Sequence, residues 1–372
     1  MDGILTVDVN KKYNDYYEVS ILWRTALKGT TSRAGLYLEL LKELKFPQAA
    51  PKIINYIKSK TLPLLPYNPC SRFSPIQISL SMVNRCNLRC AYCGDAQDGT
   101  FDNAPKKEFT IEKIKQIFQT PLCRNAIYVN LAGGGEPLLC KDIVEIVEYL
   151  NSRGHLTLLT TNGILLPKFI ERLTKAGLSK ISISIYPANI DFLRDNLASL
   201  NKIHKIQNSH VITRSELENT PEELEDLVDF VYKAGSTRLR LWNCRPFGKN
   251  QDSSESFTSE LPAFQIFYNK ISKKYKGFVD WQGLYTASDS NLKAKKICRE
   301  LWQLVPIDGG GCVTTCCGSP VNLRANVNAF VNTSEEIFNH PAIVSLRKKF
   351  IEPDTELPDM CKYCNLLEDP PM

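Results

Sequence analysis

From Ile76 to Gly248 the sequence alternates short, β-rich apolar stretches with amphipathic helical segments, which restricts the chain to a parallel sheet covered by helices. The strand candidates are Ile76–Val83, Ile127–Leu131, Leu156–Thr160, Ile181–Ile185, His210–Thr213 and Leu239–Trp242. Apolar runs of this length are what a sheet buried on both faces requires. Among the intervening segments, Thr220–Ala234 carries the clearest helix signals. Thr220 and Glu223 are placed for a capping box, Pro221 falls in the first turn, and Gly235 stops the helix. Its Leu224, Leu227, Val228 and Val231 share one face, and Ile143, Ile146, Val147 and Leu150 repeat that spacing. Right-handed crossovers then wrap the sheet into a closed or partly closed α/β barrel.

The flanks read differently. Residues 1–75 contain two helical stretches, Tyr37–Leu44 and Ile53–Ile57, and end at Pro63, Pro66 and Pro69, so they form a helical lead-in. After Gly248 a polar stretch, Lys249–Glu260, separates the barrel of residues 76–248 from a second domain at 249–372, which opens on a helix at Leu261–Tyr275 and holds six of the thirteen cysteines.

With 43% hydrophobic residues, the 372-residue chain can build packed cores, and disorder is excluded. It has no run of eighteen apolar residues and no signal-like start, so a cytoplasmic protein without a membrane partner is expected. Tightly grouped cysteines in a reducing compartment point to metal binding. The four histidines, His155, His204, His210 and His340, offer little material for imidazole sites. The net charge of +6 is dispersed, and basic runs such as Lys270–Lys276 read as solvated helix faces, so no nucleic-acid partner is expected.

Immediately after the first strand candidate comes Cys86-Asn-Leu-Arg-Cys90-Ala-Tyr-Cys93. Three thiolates on a short loop can hold three irons of a [4Fe–4S] cubane and leave the fourth without a protein ligand. A structural zinc knot uses similar spacing. Gly133-Gly134-Gly135-Glu136-Pro137 follows the second strand candidate, where consecutive glycines let backbone approach a small polar ligand and Glu136 can meet its ammonium group.

Taken together, the CxxxCxxC loop and the GGEP turn closely resemble the radical S-adenosylmethionine (SAM) superfamily over residues 76 to about 248. The resemblance implies a partial (β/α)6 TIM-like barrel with SAM at the C-terminal strand ends. It also implies that SAM chelates the open iron and is reductively cleaved to a 5′-deoxyadenosyl radical, which takes hydrogen from substrate carbon. By the same resemblance Tyr92 lies by the adenine, Gly134, Gly135, Glu136 and Pro137 bind the methionine end, Ser184 contacts the ribose, and Arg214 meets the SAM carboxylate. Thr160-Thr-Asn162-Gly is similar to the polar end of strand three in many members. A flavodoxin or ferredoxin is the implied electron donor.

Cys298, Gly311 with Cys316 five positions on, and Cys361-Lys-Tyr-Cys364 supply four further thiols, enough for one cubane or one zinc ion. Their spacing, with Ser334–Pro341 and Arg347, resembles the twitch or SPASM extension of some radical SAM enzymes. That resemblance implies a small C-terminal α+β domain with one auxiliary [4Fe–4S] cluster on Cys298, Cys316, Cys361 and Cys364. Cys312 and Cys317 compete with Cys316 for that ligand position. Cys70, Cys123 and Cys140 read as packing thiols, and Cys244 follows the sixth strand at the barrel mouth.

The implied activity is that of a radical SAM oxidoreductase or modifying enzyme acting on a small molecule or a peptide. The alternatives are a maturase that cross-links or epimerises ribosomal peptides, and a non-enzymatic metal-binding scaffold. Residues 1–75 show no convincing winged-helix peptide module, which favours a small or leaderless substrate. No catalytic side chain is singled out.

Overall fold

A computed structural model describes residues 52, 54, 55, 68–71, 74–91, 93–97, 99–244, 253–284, 298–316, 327–352, 355–358 and 361. Most of the expected N-terminal helices, together with Tyr92, Cys317 and Cys364, lie outside the described residues. The strands are β1 (Gln77–Ser81), β2 (Tyr128–Leu131), β3 (Leu156–Thr161), β4 (Lys180–Ser184), β5 (Ile206–Ile212), β6 (Arg238–Asn243), β7 (Val279–Gln282) and β8 (Leu304–Asp308). All pair in parallel in one unclosed sheet of order β7-β6-β5-β4-β3-β2-β1-β8. The architecture is an α/β partial barrel, and the segment after Gly248 supplies both edge strands.

Helices Ile111–Gln119, Ile143–Ser152, Ile170–Lys175, Ile190–Ile203 and Pro221–Lys233 occupy the crossovers between β1 and β6, and Pro262–Lys274 links β6 to β7. They cover the strand residues Ile78, Leu80, Val129, Leu131, Ile181 and Ile183, all fully buried. Each such side chain contributes roughly 1.5–3 kcal/mol on leaving water. Aromatic packing identifies the helix side at the far edge. Trp281 meets Phe264 and Phe267 of the Pro262–Lys274 helix edge-on, with ring centroids 5.5 and 5.9 Å away. Leu241, its register partner on β6, therefore faces the helices too.

The sequence differs from the structure in local detail. Thr220 is the N-cap of Pro221–Lys233 but makes no side-chain cap, and its N–H closes the preceding helix on Glu216 O. Complete capping boxes occur instead at Thr213 with Glu216 and at Thr333 with Glu336. Strand β5 begins four residues before the apolar run that marked it, and β7 and β8 carry polar residues or proline. Pro306 is tolerated because β8 is an edge strand.

Past β8, Arg347 of the Pro341–Ile351 helix is fully buried between Trp302 and Phe338. Its guanidinium donates to Leu301 O, Pro69 O and Asn339 Oδ1 at 2.8–3.0 Å. One side chain thus ties the C-terminal helix to the segment after Cys298 and to the residues before β1.

Candidate active site

Because every strand runs the same way, the loops after β1 to β6 converge on one edge of the sheet, where parallel barrels place their chemistry. Cys86, Cys90 and Cys93 lie half-buried on the loop after β1. Arg85 anchors the start of that loop through Glu108 and Leu139 O, both at 2.8 Å, and Arg89 holds the Cys86 carbonyl at 2.9 Å. Burial raises all three thiol pKa values, that of Cys90 to about 11, where neighbouring Cys86 and Cys93 add to the effect.

Gly133, Gly134 and Gly135 all have positive φ. A Cβ on Gly135 would lie 2.4 Å from Arg85 O and 2.6 Å from Val83 O, so only glycine lets this turn press on the cysteine loop. The Glu136 N–H completes the contact, donating to Arg85 O at 2.9 Å.

The Glu136 side chain, expected to face a ligand ammonium, turns inward and is 2% exposed. Oε1 accepts from Thr161 Oγ1 at 2.7 Å and Leu138 N at 3.0 Å, and Oε2 accepts from Asn162 N at 2.9 Å. Burial raises its pKa against these three donors. Glu136 therefore fastens the end of β3 to the glycine turn, and Pro137 opens the short 3-10 turn that presents Leu138 N.

Asn162 extends the fastening. Its Nδ2 donates to Asn87 Oδ1 at 2.9 Å and lies 3.9 Å from Cys86 Sγ, while its carbonyl accepts from Asn189 Nδ2 at 2.7 Å. Ser184 ends β4 with its hydroxyl 3.4 Å from that of Ser209 and also hydrogen-bonds Tyr186, whose phenol burial pushes up in pKa. No sequence signal points to Tyr186, and Asn162, though noted at the end of the third strand candidate, was not expected to act as a fastener. Arg214 starts the helix after β5 and pairs with Glu218 at 3.0 Å.

The donor set fits an iron–sulfur cubane. Three thiols share one short loop, each able to hold its own iron, and an all-sulfur set suits that cluster. Among the described residues, no three His, Cys, Asp or Glu side chains converge on a point as a single ion would need.

In the C-terminal segment, Cys298 and Cys361 share a small core with Leu301, Trp302, Leu346 and Phe350. Cys316 is partly buried after the Gly311 turn, where a Cβ would strike Asn328 and Phe330 at 2.4 Å. Cys312 has Lys107 Nζ 3.5 Å from its sulfur. Cys123 and Cys140 are buried, Cys70 is exposed, and burial pushes buried Cys244 to about 11.

A parallel barrel with a three-thiol loop after β1, braced by a glycine turn after β2, is the scaffold of a cluster-dependent enzyme. Residues 80–237 match the model of the Radical SAM superfamily, whose members use SAM and a [4Fe–4S] cluster. It is 36% identical over 238 residues to a GTP 3′,8-cyclase of Marinobacter nauticus, covering 63% of this chain and 65% of that protein. It is 25% identical over 215 residues to the AdoMet-dependent heme synthase of Methanosarcina barkeri, covering 55% and 60% of the two chains. The chain thus spans less than two thirds of these relatives' lengths. The fold is also that of Streptococcus suis SuiB, solved bound to its precursor peptide SuiA, with a TM-score of 0.57 at 16% identity over 79% of this chain and 70% of SuiB. Among the described residues, no helix is long and apolar enough to cross a membrane.

Proposed function

We propose that the chain is a radical SAM enzyme whose first cluster, on Cys86, Cys90 and Cys93, serves hydrogen abstraction from a substrate carbon. The observation that supports this reading is the contact of the Gly135 turn with the cysteine loop, which brings the two motifs together. When bound, the cluster and SAM supply a 5′-deoxyadenosyl radical to that site. This chain's residues hold and orient: the glycine backbone takes the methionine end, Ser184 the ribose and Tyr92 the adenine, with Arg214 at the carboxylate. Glu136 and Asn162 keep the turn, the cysteine loop and the end of β3 in register.

Cys298, Cys316, Cys361 and Cys364 would hold an auxiliary [4Fe–4S] cluster, which would supply an electron acceptor or a substrate-binding iron. The pairing of Cys298 with Cys361 in one core supports this. The substrate is a small molecule or a peptide, and a flavodoxin or ferredoxin supplies the electron in a reducing, cytosolic compartment. Names such as cyclase and synthase among the relatives support a biosynthetic, modifying role. Anaerobically reconstituted protein given SAM and dithionite is expected to release 5′-deoxyadenosine; a metal-binding scaffold would release none.

A further inference from the structure

Parallel barrels usually fill their interior with branched apolar side chains. This sheet does the opposite on its concave face. Register aligns Ser184, Ser209, Arg240 and Asp280 in one row across β4, β5, β6 and β7, with Val211, Trp242 and Gln282 in the next row toward the C-terminal ends. Strand alternation turns this row away from the helices, because Leu241 and Trp281 hold the helix side.

Arg240 is 3% exposed, yet its Nε and Nη2 have no hydrogen-bond partner. These two atoms form the edge with which arginine grips planar or paired acceptors. Asp280 Oδ2 lies 3.5 Å from Nε, close enough for charge attraction but too long for a hydrogen bond, and it too has no hydrogen-bond partner. A buried guanidinium with an unmet edge is costly unless a ligand completes it.

The chemistry of that ligand follows from the pair. Guanidinium and carboxylate cancel, so a second anion would meet Asp280 and an ammonium would meet Arg240. A hydroxyl satisfies both, donating to Asp280 Oδ2 while accepting from the Arg240 edge. Trp242, partly exposed with Arg240 over its ring at 5.4 Å, adds an apolar surface for C–H groups. Gln282 Nε2 donates to Asp280 Oδ1 at 2.9 Å and so steadies the carboxylate at the edge of the site. Strand spacing sets Arg240 about 10 Å from Ser184 along the row, room for one six-membered ring between them.

We propose that Arg240, Asp280, Trp242 and Gln282 form the substrate subsite and take the hydroxyls of a polyhydroxylated ring, a sugar or cyclitol. This rests on the radical SAM reading above and names its substrate class.

The test uses the full chain, reconstituted anaerobically with SAM, in saturation-transfer difference NMR with myo-inositol, D-glucose, glutarate and a short unstructured peptide as probes. Ring protons of the polyols are expected to show transfer that falls about fivefold in Asp280→Asn and Trp242→Phe, the loss of roughly one hydrogen bond or contact. Circular dichroism melts establish that both variants are folded; Arg240→Gln is the harsher companion. Undiminished polyol signals in folded Asp280→Asn, no polyol signal in the wild type, or displacement of the polyols by glutarate or peptide would overturn the subsite. Absence of 5′-deoxyadenosine from the wild-type sample given dithionite would instead sink the radical SAM reading, so the two failures are distinguishable.

Discussion

The Thr161 hydroxyl donates to Glu136 Oε1 at 2.7 Å, binding the end of β3 to the glycine turn after β2. Asn162 N takes the other carboxylate oxygen, and its side chain reaches Asn87 in the cysteine loop. Three loops that are far apart in sequence are therefore held by one buried acid and one amide.

Glu136→Ala should leave three donors unmet and cost on the order of 2–4 kcal/mol. The expected outcome is a lower melting temperature together with weaker SAM binding by isothermal titration calorimetry. A variant that melts early but binds SAM as well as wild type would show Glu136 to act on stability alone.

Gly135→Ala pushes a methyl group toward two backbone carbonyls of the cysteine loop, at a φ of +149° that side chains avoid. The strain, about 1–3 kcal/mol from overpacking alone, has to be relieved by moving that loop. Reconstituted Gly135→Ala should therefore carry less iron and sulfide per chain than wild type.

The two thiol sets should separate by function. Cys90→Ala is expected to abolish 5′-deoxyadenosine release, whereas Cys361→Ala retains part of it and loses substrate turnover. Equal loss of both activities in Cys361→Ala, with the first cluster intact by electron paramagnetic resonance, would refute the division of labour.

The loop thiols give a pH dependence of definite sign. Burial raises their folded pKa values, that of Cys90 from 9.0 to about 11, so they are protonated at neutral pH and release protons when iron binds. Cluster loading should strengthen from pH 7 to 9, by up to about tenfold per pH unit for each proton released. Apo-protein behaves oppositely: the raised pKa favours the fold below about pH 9, and that contribution is lost as the pH climbs through 11. Iron-loading titrations and apo-protein melts across this range would check both slopes.

The cysteine loop and glycine turn were legible because each is local: a few residues on one loop, with spacing set by the ligand they meet. The partial barrel was legible from its helix-facing apolar residues. The concave face escaped notice for the complementary reason. Gln207 and Ser209 interrupt the apolar pattern of β5, Asp280 and Gln282 that of β7, and Pro306 that of β8, so these strands were shortened or missed. No spacing rule joins Arg240 to Asp280 or Asn162 to Asn87; only the register of the folded sheet brings them together. Glu136 was noticed, but its partners lie on the next strand, and its role as a fastener needed coordinates.

Strand β1 lies between β2 and β8, and Leu80 pairs with both Leu131 and Ile307. A chain emerging from the ribosome can therefore build β1 to β6 while one side of β1 still shows bare amides and carbonyls to solvent. That flank closes only after residue 308 has been made. Until then Cys86, Cys90 and Cys93 hang from an unprotected sheet margin, so metal insertion into a half-synthesised chain would compete with misassembly, and delivery after release is the safer order of events.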